Sequence, residues 1–113
     1  MAGSYRLVVR DGPRVQRDRF DDLDSVLAAL EERGRELEDT ADAAPRGGTL
    51  IRRVEPGQQV VGRLEVRGRG VRAGVDVRGD GSSEAFTGRV RRALVEQRRG
   101  ESSYDALRRE LAG

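Results

Sequence analysis
Three turn signals, Pro56-Gly57, Gly68-Arg69-Gly70 and Gly79-Asp80-Gly81-Ser82, constrain the fold of this 113-residue chain more than any other feature. Between them apolar and charged residues alternate. Val60, Gly62, Leu64 and Val66 stand against Val61, Arg63, Glu65 and Arg67, and Val71, Ala73, Val75 and Val77 stand against Arg72, Gly74, Asp76 and Arg78. A period of two sends successive side chains to opposite faces of a strand, and turns this closely spaced join antiparallel neighbours. With residues 50–55 before the first turn and residues 84–91 after the last, the reading is a four-stranded antiparallel meander. Over residues 83–99 a helical period competes for the same apolar positions. Thr87-Gly88 weakens a helix, and the Asp80-Gly81 turn calls for a returning partner, so a strand is expected there.

Upstream the period changes. Tyr5, Leu7 and Val9 alternate with Arg6, Val8 and Arg10, and Asp11-Gly12-Pro13 breaks the run before residues 15–19 resume it, which predicts a β-hairpin. Phe20, Leu23, Val26, Leu27, Leu30 and Leu37 then recur at helical spacing, predicting a helix over residues 21–41 with Asp21 as its N-cap. Gly34 falls inside it, at a cost of about 1 kcal/mol relative to alanine. Residues 43–48 read as a loop. Near the end Ser102 or Ser103 caps a short helix carrying Tyr104, Leu107 and Leu111 on one face, and Ser102 and Asp105 stand at capping-box spacing.

The expected fold is a single α+β domain over residues 1–113. It runs β-hairpin, long helix, four-stranded antiparallel meander and short C-terminal helix, with a curved antiparallel sheet packed on one principal helix. Leu, Ile, Val and Phe make up 26 of 113 residues, enough for a folded domain with a thin core. In outline a helix on a twisted sheet resembles the cystatin-like, hot-dog and double-stranded-RNA-binding architectures, and no motif selects among them.

Composition excludes more than it suggests. With no Cys and no His, disulfides, thiolate metal sites, cysteine nucleophiles and the commonest general base are absent. All 22 basic residues are arginine, so no Schiff base or Ser–Lys dyad is available. Ser82, Ser83, Ser102 and Ser103 therefore lack an activator. Asp76, Asp80 and Glu84 are spaced loosely enough for a hard cation, but neighbouring Arg72 and Arg78 oppose one, and ion pairing is the expected role. Gly68-Arg69-Gly70-Val71-Arg72-Ala73 matches the dinucleotide fingerprint in letters, yet a strand pattern follows it where a helix start is required. Arg78-Gly79-Asp80 reads as a turn. No catalytic residue, cofactor or metal is expected, and the chain reads as non-enzymatic. A ligand pocket between helix and sheet is disfavoured by the same limited chemistry. No apolar run reaches membrane-spanning length, and the opening residues carry no signal-peptide pattern; the expected compartment is the cytoplasm.

Charge is unevenly placed. Residues 1–49 carry 8 Arg against 11 acids, residues 50–99 carry 12 against 6, and residues 100–113 carry 2 against 3. The meander is thus the basic part. If its valines and leucines face the core, Arg63, Arg67, Arg72 and Arg78 share the other face, extended by Arg89 and Arg91. Such a face suits phosphate neutralisation without sequence preference. Glu65 and Asp76 share it and offer cross-strand partners. Ile51, Val61 and Val8 fall out of phase with the core positions and would sit among the arginines, an interface-like composition. Two functions follow as expectations: protein–protein contact or self-association, with a homodimer through the sheet as one form, and, as the alternative, RNA or DNA binding through the arginines.

Overall fold
A computed structural model describes residues 3–43, 59–88 and 91–112. Its elements in chain order are β1 (Tyr5–Asp11), β2 (Arg14–Phe20), α1 (Leu23–Ala43), β3 (Val60–Gly68), β4 (Val71–Arg78), β5 (Ser83–Thr87), β6 (Ala93–Val95) and α2 (Ser103–Ala112). The six strands form one curved, open, antiparallel sheet in the order β2-β1-β3-β4-β5-β6. The fold is α+β, as the alternation predicts. The hairpin turns at Gly12 and Pro13, and the β3–β4 loop places both Arg69 and Gly70 at positive φ, the two-residue geometry that matches strand twist.

Period two explains which face is buried. Val9, Leu64, Val75, Ala85 and Val95 are direct cross-strand neighbours, and Leu7, Val66 and Ala73 form the row beside them. All eight are buried. Val26, Leu27, Leu30 and Leu37 of α1 cover this surface together with Tyr104, Ala106 and Leu107 of α2. Burying one such Leu or Val contributes about 1.5–3 kcal/mol. The helices meet at Gly34, where any side chain would overlap the Tyr104 ring. Arg108 reaches Glu31 at 2.7 Å, and the Tyr104 hydroxyl donates to Glu38. Gly34 therefore trades helix propensity for close approach between α1 and α2.

Several local expectations are corrected. Asp22, not Asp21, caps α1, accepting from the Ser25 N–H at 2.7 Å, while Asp21 accepts from the Gly3 N–H at 2.8 Å. The strand expected over 84–91 ends at Thr87. Gly88 takes φ +100 and lies close against the Arg91 carbonyl, and the chain returns as β6. The meander is thus β3 to β6. The expected strand at 50–55 and most of the expected loop at 43–48 lie outside the described residues. Ser102 caps α2 as expected: its hydroxyl accepts from the Asp105 N–H at 3.0 Å, and Asp105 accepts from the Ser102 N–H at 3.1 Å. Among the described residues no helix is long and apolar enough to cross a membrane.

Candidate functional site
The sheet face away from the helices is built from three cross-strand rows. One runs Val15–Arg10–Arg63–Asp76–Glu84, the next Arg17–Val8–Glu65–Gly74–Phe86–Leu94, and the third Arg19–Arg6–Arg67–Arg72. The expected face is present, and it divides into two unlike ends.

At the first end each inner arginine has a carboxylate. Arg63 grips Asp76 through two bonds, Nε to Oδ1 at 2.5 Å and Nη2 to Oδ2 at 3.0 Å, and this hydrogen bonding raises the Arg63 pKa further above solution. Arg78 donates to Glu84 at 2.8 Å. Asp76 and Glu84 thus pair with arginines, the expected role, and among the described residues no group of acids is arranged to hold a metal.

The middle row holds an aromatic ring on the wrong side for the main core. Phe86 retains 2% exposure because Gly74, directly opposite it, leaves a slot into which the ring lies. Arg92 stacks over the ring at 4.7 Å and Arg63 at 5.6 Å, contacts worth about 0.5–2 kcal/mol each. Beside it Glu65, only 8% exposed, is shared by Arg67 and Arg92 at 3.6 Å and Arg10 at 3.9 Å. One carboxylate faces three guanidiniums at distances longer than hydrogen bonds.

The third row contains no carboxylate. Arg19 stands opposite Arg6, Arg6 opposite Arg67, and Arg67 opposite Arg72. Like charges directly opposite one another destabilise a sheet, so this row raises the energy of the fold. Among the described residues Arg6, Arg19 and Arg72 pair with no acid, and Arg67 Nε is shielded from water with no acceptor. Two clefts flank Arg67. One of about 190 Å³ is lined by Gly3, Ser4, Arg6, Arg19, Arg67 and Gly68. The other, about 280 Å³, extends past Gly70 and Val71 to Arg72.

Of the residues singled out from sequence, Arg63, Arg67, Arg72 and Arg78 share this face, and Arg63 and Arg78 are already paired. Arg91 lies exposed in the bend before β6 rather than on a strand, because β5 ends early. Arg89 and Ile51 lie outside the described residues. Val61 does not join the outer face. A register shift between Val60 and Gly62 breaks the alternation, and Val61 packs half-buried against the core. Val8 does occupy the outer face but is 3% exposed, flanked along β1 by Arg6 and Arg10 and across it by Arg17. Arginine stems shield apolar surface while their heads stay in water. Arg6, Arg19 and Arg92 were not singled out. The alternation of β1 marks Arg6 as outward, but nothing in the sequence says that β1 lies beside β3.

Among the described residues acid–base chemistry finds no comparable cluster. Ser83 and Ser103 hydroxyls bond each other at 2.7 Å, and burial with the neighbouring Glu38 pushes the Tyr104 phenol well above its usual range. These groups tie α2 to the sheet and to α1. Comparison with protein-family models, curated proteins and solved structures finds no match to this chain. The functional reading therefore rests on the outer face itself.

Proposed function
We propose that the outer face binds the phosphate backbone of nucleic acid without reading its sequence. The carrying observation is the row Arg19–Arg6–Arg67–Arg72, four cations in register across four strands with no carboxylate among them. At about 4.8 Å between strands the row is about 14 Å long, so it meets several phosphates at once. Sequence readout is not supported, because base stacking needs an exposed aromatic and Phe86 is sealed beneath two guanidiniums. Fluorescence anisotropy with short RNA and DNA duplexes and single strands tests the reading. Neutralising four phosphates of a duplex predicts a log–log salt slope of about −3.6, hence a loss on the order of 100-fold between about 50 and 200 mM salt. Absence of binding at the lower salt would end it.

A second reading, action through protein contact or self-association, draws on Leu94, 64% exposed at the β6 edge of the same face. It no longer draws on Val8 or Val61, which offer little free surface. Light scattering at high micromolar concentration decides it: a dimer that Leu94→Glu disperses supports the reading, and a monomer throughout removes it.

A further inference from the structure
We propose that the cleft bounded by Arg6, Arg19 and Arg67 seats a phosphate monoester, the end group of a phosphorylated strand; this rests on the nucleic-acid reading above. Three arginines line the cleft, and among the described residues no acidic residue does. The nearest acid to Arg67 is Glu65, 3.6 Å from its Nη2 and shared with Arg10 and Arg92. Arg67 Nε has no acceptor anywhere in the described fold. A backbone diester brings a single charge, whereas a monoester carries about −1.5 to −2 with three terminal oxygens, the better complement to three cations presenting N–H groups.

The cleft also has a wall on one side and an outlet on the other. Gly3 is held by its N–H bond to Asp21 Oδ1 at 2.8 Å, and the stem of Arg19 packs closely on Gly3. The Ser4 carbonyl lies directly over Gly68, where any side chain would collide with it. The start of β1 thus closes this side. Across Arg67 the larger cleft leads to Arg72, two strand spacings, or about 10 Å, from Arg6. A strand whose terminal phosphate sits against Arg6 and Arg19 runs on past Arg67 toward Arg72. Three arginines gathered at one cleft, with one further cation along the same row, suit a terminal group that carries more charge than the backbone behind it.

The test compares oligonucleotides of one sequence carrying a 5′-phosphate, a 3′-phosphate or neither, by anisotropy at fixed salt. One phosphorylated form should bind about tenfold tighter than the unphosphorylated strand; Arg19→Gln should abolish that preference as well as weakening backbone binding, whereas Arg72→Gln, outside the cleft, should weaken all three strands alike and keep the preference. Equal affinities for all three overturn the end-group site and leave backbone binding standing. If no oligonucleotide binds, the nucleic-acid reading fails, and titration with inorganic phosphate followed by Arg Nε–Hε NMR still judges the cleft. Shifts confined to Arg6, Arg19 and Arg67 support a phosphate seat, and their absence overturns it.

Discussion

The two ends of the outer sheet face use the same residue type to opposite effect. At one end acids are interleaved with the arginines: Arg63 stands between Arg10 and Asp76 and is locked to Asp76 by two hydrogen bonds, and Arg78 is answered by Glu84. At the other end arginine stands across from arginine over four strands. The first arrangement is self-sufficient, since its charges are already compensated. The second leaves like charges facing one another, and it gains most from an external anion. Composition treats both ends alike, and register alone separates a structural arginine from an available one.

The seam between the ends gives the largest expected effect. Phe86→Ala removes the ring that Gly74 admits and that Arg63 and Arg92 cover, and it should destabilise the fold by about 3–4 kcal/mol in urea denaturation. A loss under about 1 kcal/mol would mean that the outer-face ring is not part of the stable core. Next in size is Asp76→Ala, which deprives Arg63 of both bonds and should cost about 1–2 kcal/mol. The matching change in the other half should have the opposite sign. Arg6→Thr relieves repulsion from Arg19 and Arg67 and should stabilise the protein by about 0.2–1 kcal/mol, more at low salt than at high. Destabilisation by Arg6→Thr at every salt concentration would show that the row is not a source of repulsion.

The smallest effect lies off the face and serves as its control. Hydrogen bonds from Arg109 and the Arg98 N–H hold the Glu101 pKa at about 2, below its ordinary 4.5. A carboxylate depressed by folding contributes stability that is complete above about pH 4.5 and is lost as pH falls through about 2. Amide protection factors at the start of α2, with the intrinsic exchange rate at each pH divided out, should therefore fall on acidification across that window, and Glu101→Gln should remove this fall. Unchanged protection factors in the wild-type chain would refute the assigned role of the Arg109 contact.

Much of this molecule is legible in its sequence wherever a pattern is local. The Asp80-Gly81 turn, the Leu stripe of α1 and the Ser102 cap all follow from residues a few positions apart. What escapes is tertiary. Gly88, at positive φ close against the Arg91 carbonyl, follows the end of β5, and the bulge at Val61 turns that residue toward the core. Phe86 looks like a core residue and is one, but on the other face, because Gly74 stands opposite it. The candidate site was half legible for the same reason. Alternation exposes Arg67 and Arg72, whereas their continuation through Arg6 and Arg19 depends on β1 lying between β2 and β3.

Under the proposed function the end that carries Arg6 and Arg72 binds phosphate and the end that carries Arg63 and Arg78 does not. The direct test sets Arg6→Ala/Arg72→Ala beside Arg63→Ala/Arg78→Ala, each confirmed folded by circular dichroism, and measures the salt dependence of duplex binding. Loss of two phosphate contacts predicts a slope shallower by about 1.8 for the first variant and little change for the second. Equal slopes for the two variants, or a larger change when Arg63 and Arg78 are removed, would contradict the division of the face.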